Sequence, residues 1–121
     1  MTKNFDISEF ECKCGCTMPS DVKENIKNLA ENLQIFRDIL EEPIKINSAY
    51  RCEAHNQDIG GVSNSQHVKG NASDIVVSSL SSKEVYTALD RLMDGGFIAQ
   101  GGLGKYNTFT HYDTRGHEAR W

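Results

Sequence analysis

The 121-residue sequence has no apolar run approaching the roughly 18 residues that a membrane-spanning helix needs, so no membrane insertion is expected. Basic residues are not in excess. Thirteen Lys and Arg stand against 17 Asp and Glu, for a formal net charge of −4, and they are scattered rather than clustered. The electrostatic footprint of a protein that binds nucleic acid or anionic lipid is therefore missing, and neither partner is expected. There is no internal repeat and no low-complexity tract. No phosphate loop is present either: Gly95-Gly96 and Gly101-Gly102 are followed by neither Lys-Ser nor Lys-Thr, and no Gly-x-Gly-x-x-Gly opens a helix, so these glycines are expected in turns. The N-terminal Met1-Thr2-Lys3-Asn4-Phe5-Asp6 lacks the basic and then apolar segments of a secretory signal, which leads to an expectation of a cytoplasmic product. What remains, at 38% hydrophobic residues, suits one domain over residues 1–121 with a continuous core.

From Asp21 to Leu40 the apolar positions Val22, Ile26, Leu29, Ala30, Leu33, Ile35, Phe36, Ile39 and Leu40 recur mostly at threes and fours, predicting a helix with one face on the core. Ser20 is its expected N-cap and Pro43 its stop. Ile44 to Tyr50 opens with period-two alternation and predicts a strand whose end carries Arg51. Ala72 to Val77 reads as a buried strand that sets Asp74 beside Ile75, Val76 and Val77, where an ionisable group needs a partner. A second helix is predicted from about Ser82 to Met93, opened by the capping box Ser81-Ser82-Lys83-Glu84 and closed by Gly95-Gly96. Its inward positions are Val85, Ala88, Leu89, Leu92 and Met93. Gly101 to Tyr106 and Thr108 to Asp113 predict two short strands joined by a tight turn near Asn107. The sum is an α+β domain, a small antiparallel sheet with two main helices.

The chemistry lies in two separated segments. Ser65-Gln66-His67-Val68-Lys69-Gly70-Asn71-Ala72-Ser73-Asp74 places a histidine and an aspartate seven positions apart, so a loop and the strand after it can reach one cation. The third ligand is His111, within Phe109-Thr110-His111-Tyr112-Asp113. Two neutral imidazoles and one carboxylate leave a tetrahedral zinc with an open fourth position, the arrangement of a hydrolytic rather than a structural site. Taken alone, His67 and Asp74 also fit a surface histidine and a turn aspartate. The period of the strand puts Phe109, His111 and Asp113 on one face, where a carboxylate can orient the ligand or handle a proton; a surface polar pair is the alternative. Arg51 can hold a developing oxyanion or a terminal carboxylate, or it can pair with Glu53 or Asp58. Tyr50, Phe97, Tyr106, Phe109 and Trp121 can line a groove, with ordinary packing the expectation for most of them.

In order along the chain stand Phe10-Glu11-Cys12-Lys13-Cys14-Gly15-Cys16, Ser48-Ala49-Tyr50-Arg51-Cys52-Glu53-Ala54-His55-Asn56, Ile59-Gly60-Gly61, Ser65-Gln66-His67 through Asp74, His111-Tyr112-Asp113 and Ala119-Arg120-Trp121. This pattern resembles the zinc D-alanyl-D-alanine carboxypeptidase family, whose members include cell-wall peptidases and endolysins, and in particular its short single-domain members from bacteria and phages. The resemblance spans nearly the whole chain, and its Ser-x-His-x-x-Gly-x-Ala-x-Asp run is specific. It implies the hedgehog/DD-peptidase fold, one catalytic zinc ion, and peptide bonds of peptidoglycan stem peptides as substrate. By residue, it implies His67, Asp74 and His111 as zinc ligands, Arg51 as the cation near the substrate and Ser65 as a hydrogen-bonding partner of the substrate. Action on a cell wall then requires release from the cytoplasm, as a phage lysis protein is released.

Two positions depart from the family pattern. Many relatives carry a general-base glutamate three residues before the last histidine ligand, where this chain has Thr108. Others place a second histidine two residues before it, where this chain has Phe109. Asp113 is the expected replacement, as base or as the group that orients the zinc water; His55 and His117 are fallback proton carriers, with a solvated loop histidine the expectation for each. The departures also raise an alternative: a zinc-containing module that has lost hydrolysis and binds wall peptide or serves in virion assembly. The cysteines pose a separate question. Cys12, Cys14, Cys16 and Cys52 can close a structural zinc site, but Cys-x-Cys-x-Cys in an extended segment is unlike the usual Cys-x-x-Cys knuckle, so reduced thiols or one disulfide are expected instead.

Overall fold

Helix α1, Ser20–Leu40, turns Val22, Ile26, Leu29, Ala30, Leu33 and Phe36 onto the core of the computed structural model, which describes residues 1–62 and 64–121. Ser63, in the predicted 60–65 loop, lies outside the described residues. The helix starts at the residue expected to cap it: Pro19 is the N-cap, and Ser20 is already helical. It ends at Glu41, whose left-handed backbone (φ 56°) lets its N–H reach the Arg37 carbonyl, two residues before Pro43. Ile35 and Ile39 were expected inward, yet they are 40% and 53% exposed. At about 100° per residue Ile35 sits a quarter-turn from Phe36, off the buried stripe. Among the described residues no helix is long and apolar enough to cross a membrane.

Five strands form one sheet in the order β1-β2-β4-β3-β5: β1 Lys45–Ser48, β2 Ala72–Val76, β3 Gly102–Lys105, β4 Thr110–Asp113 and β5 Ala119–Arg120. The pairs β1/β2, β2/β4 and β3/β4 are antiparallel, as expected, with the β3/β4 hairpin turning at Asn107-Thr108. β5 was not foreseen and pairs parallel to β3, so the sheet is mixed. Two residues carry no alternation for sequence reading to find. Between β1 and β2 lie two short helices, α2 (Glu53–Asp58) and α3 (Gln66–Lys69), and a 3₁₀ turn spans Ile7–Phe10. Helix α4, Ser82–Asp94, opens with the predicted capping box, in which Ser81 Oγ accepts from Glu84 N–H and the Glu84 carboxylate accepts from Ser81 N–H.

One face of the sheet joins both long helices in a core that includes Ile75, Leu103, Tyr112, Val85, Leu89 and Met93. Each such side chain contributes roughly 1.5–3 kcal/mol by leaving water. A buried polar chain pins the entry to β3: Asn32 of α1 accepts from Ala99 N–H at 2.7 Å, and Ala99 C=O accepts from the Tyr112 hydroxyl at 2.8 Å. The opposite face of β2 and β4 is left for polar side chains.

Candidate metal centre

Sheet register sets the first pair. Asp74 on β2 lies directly across from His111 on β4, so two residues 37 apart in sequence become neighbours. His67 arrives from α3, a single turn that runs straight into β2. Ser65 caps that turn, its Oγ accepting from His67 N–H at 3.2 Å, and Gly70 ends it in the left-handed conformation at φ 80°.

Both imidazoles are held from behind. His67 Nδ1 lies 2.7 Å from the Ala49 carbonyl, which can only accept, so this nitrogen carries the hydrogen and Nε2 is free. His111 Nε2 lies 2.7 Å from Asp113 Oδ2, which leaves Nδ1 free. The two free nitrogens converge on Asp74 Oδ1, each at 3.3 Å. One ligand atom from each of the three residues lies within 4.8 Å of the other two. With both imidazoles neutral, two lone pairs and a carboxylate oxygen would face one another, which is repulsive unless a proton or a cation is shared among them. A divalent ion fits this donor set, and carbonyl and carboxylate groups behind ligating imidazoles are the usual supports of such a centre. In the metal-free protein, burial works against a charge on His111, but the Asp113 and Asp74 carboxylates outweigh it and raise its pKa. Burial likewise opposes the charge on Asp74, and His111 and His67 outweigh it, bringing its pKa to about 2.

Asp113 stands behind His111. Its side chain is wholly inaccessible, and its oxygens are occupied by His111 Nε2, by Arg115 Nε and Nη2 at 2.9 and 2.8 Å, and by Gly102 N–H at 2.8 Å. Burial opposes its charge, but His111 and Arg115 hold the pKa well below the usual carboxylate range. The imidazole ring stands between this carboxylate and the converging donors. Of the two roles the sequence leaves open for this carboxylate, orienting the ligand and handling a proton, the geometry accords with the first. Of the two readings of Gly101-Gly102, as turn residues and as the start of a strand, the second holds for Gly102, a β3 residue at which a Cβ would collide with the Asp113 carboxylate.

The three donors line an open groove of about 500 Å³ that also includes Arg51, Ser65, Tyr106, Phe109, Arg115 and Trp121. Arg51 makes no ion pair with Glu53 or Asp58 among the described residues. Its Nη1 donates to Asn56 Oδ1 at 3.3 Å, and its buried Nε has no partner among the described residues. Burial lowers its pKa, against the pull of Asp74. Three of the five candidate groove aromatics do line it. Tyr106 stacks on Phe109 at 4.5 Å between centroids, and the indole of Trp121 lies 4.9 Å from His111 and donates to the Tyr106 hydroxyl. Tyr50 is buried in the core and Phe97 is exposed elsewhere. Thr108, His55 and His117 are not among the lining residues. Arg115 was missed by sequence reasoning, although its place two residues after Asp113 was a usable signal.

No curated protein matches the chain. The model of the peptidase M15 family matches residues 3–113, which include every converging donor and the groove residues Arg51, Ser65, Tyr106 and Phe109. A histidine–aspartate–histidine cluster backed by a buried carboxylate accords with that match, since these peptidases depend on a metal, generally zinc. The chain belongs to the peptidase M15 family of metallopeptidases.

Proposed function

We propose that residues 1–121 form one zinc peptidase domain that hydrolyses peptide bonds of peptidoglycan stem peptides, as a D,D-carboxypeptidase or an endopeptidase. The observation that carries this reading is the convergence of His67 Nε2, Asp74 Oδ1 and His111 Nδ1 in an open groove that also includes Arg51, whose guanidinium is in no ion pair among the described residues. A zinc ion held there supplies Lewis acidity at the scissile carbonyl and an acidic bound water. The remaining work falls to the chain's own side chains. Arg51 takes the anionic part of the substrate, either a terminal carboxylate or the developing oxyanion, through donors that no carboxylate among the described residues engages. Ser65 uses its oxygen to cap α3 and keeps its hydroxyl hydrogen for the substrate. Tyr106, Phe109 and Trp121 provide an apolar wall against which the stem can lie. Asp113 keeps the hydrogen of His111 on Nε2, and Arg115 keeps Asp113 ionised.

A second reading has its own support. Among the described lining residues Asp74 is the only carboxylate, and His67 and His111 are the only imidazoles, so no carboxylate or imidazole stands free of the donor set. A domain built this way can bind stem peptide without cleaving it. Digestion of purified muropeptides with and without a chelator, followed by mass spectrometry, separates the two. Loss of mass corresponding to D-alanine, or cleavage within the stem, abolished by chelation and restored by zinc, supports the peptidase. Zinc-dependent binding with no product supports the binding module.

A further inference from the structure

We infer that Cys12, Cys14, Cys16 and Cys52 form a second zinc site, closed by four thiolates, that fastens the N-terminal segment to the turn carrying Arg51. The sequence spacing opposes such a site only if residues 12–16 are extended, and they are not. Gly15 N–H donates to the Cys12 carbonyl at 3.0 Å, closing a turn over Lys13 and Cys14. Gly15 itself takes φ 82°, a left-handed conformation that suits glycine and redirects the chain toward Cys16.

The turn gathers the sulfurs. Cys12 and Cys14 Sγ lie 3.3 Å apart, and Cys52 Sγ lies 3.9 Å from the first and 3.5 Å from the second. With Cys16 included, all four sulfurs lie within 4.8 Å of one another. A zinc–sulfur distance of about 2.3 Å in a tetrahedron requires sulfurs about 3.8 Å apart, close to these separations. Four neutral thiols gain little from such crowding. Four thiolates around one divalent ion, their protons released to solvent as it binds, account for it directly. A single disulfide would engage two sulfurs and leave the other two crowded against it. The Cys52 N–H also donates to Cys12 Sγ at 3.4 Å, the kind of amide support that a metal-bound sulfur receives.

The location gives the site a purpose. Cys52 directly follows Arg51, and the same segment is tied by Tyr50 N–H to the Phe10 carbonyl at 3.0 Å and by Arg51 N–H to the His67 carbonyl at 3.1 Å. A metal at the cysteines therefore fixes the strand end from which Arg51 enters the groove. With four protein donors no position is left for water, so the role is structural.

The test is metal analysis of the full chain purified without chelator. Two zinc ions per chain are expected in the parent protein. One is expected in the His67→Ala/His111→Ala variant, whose thiols stay shielded from alkylation until a strong chelator is added. Exchange into cobalt gives an intense sulfur-to-cobalt charge-transfer band in both proteins. The inference is overturned if the double variant holds no zinc, holds iron in its place, or shows no such band. It is also overturned if the metal-replete parent protein alkylates at all four cysteines as fast as a free thiol. Cys14→Ser, altering an exposed residue, is expected to remove one zinc and to leave zinc at the histidines. Retention of both ions by that variant would also overturn it.

Discussion

His67, Asp74 and His111 offer two nitrogens and one oxygen at the wall of an open groove, whereas Cys12, Cys14, Cys16 and Cys52 offer four sulfurs around a tight turn. The first cluster is assembled by sheet register and a one-turn helix, each donor braced from behind by a carbonyl, a carboxylate or the neighbouring strand. The second is assembled by a glycine-assisted turn meeting the end of a strand. Donor count separates their uses. Three protein ligands leave a metal with a position for water or substrate, and four leave none. If both clusters bind zinc as proposed, the open centre would lie beside Arg51 and the closed one behind it, so that one would serve chemistry while the other holds Arg51 in place.

Replacing His111 by Ala breaks the open centre and has the largest expected effect. Zinc at the groove and all metal-dependent peptide hydrolysis should be lost, as measured by metal content and product mass spectra, while cobalt–thiolate absorption persists. Asp113→Asn sharpens the comparison by touching only the brace. A positioning role predicts zinc affinity at the groove weakened by about 10–100-fold, with hydrolysis largely recovered at saturating zinc. A proton-handling role would instead leave affinity intact and remove turnover at every zinc concentration.

Acid should separate the clusters further. A proton and a metal ion compete for His111 Nδ1, so groove affinity should fall by about tenfold per pH unit once the pH drops below the raised pKa of His111. Without metal the signs are opposite for the two partners. The raised pKa of His111 contributes stability that is complete below 6.5 and lost as pH rises through the folded value. Asp74 contributes stability that is present above 3.8 and lost as pH falls toward about 2. Thermal melts of the chelated protein across this range read both. The smallest effect is expected from Ser65→Ala, which removes the cap of α3 and costs about 1 kcal/mol in chemical denaturation.

Much of this arrangement was legible in the sequence. The capping box at Ser81 and Glu84, the strand around Asp74, the hairpin at Asn107 and the shared face of His111 and Asp113 all follow from local spacing. What local spacing does not carry is depth. Asp113 and a solvated aspartate look alike until Gly102 and Arg115 close around it. Gly101-Gly102 reads both as a turn and as a strand start, because the reason for the missing side chains is a partner strand that only tertiary structure supplies. The same holds for Ile35 and Ile39, apolar residues for which the sheet offers no cover, and for Cys14, whose approach to Cys52 depends on the backbone turn before Gly15.

The most direct test is anomalous scattering at the zinc edge from crystals of the zinc-loaded protein. Two peaks are expected: one within bonding distance of His67 Nε2, Asp74 Oδ1 and His111 Nδ1, completed by solvent on the groove side, and one enclosed by the four cysteine sulfurs. A peak absent from the first position, or bound there by a fourth protein side chain that seals it, would contradict the reading of this groove as a hydrolytic centre.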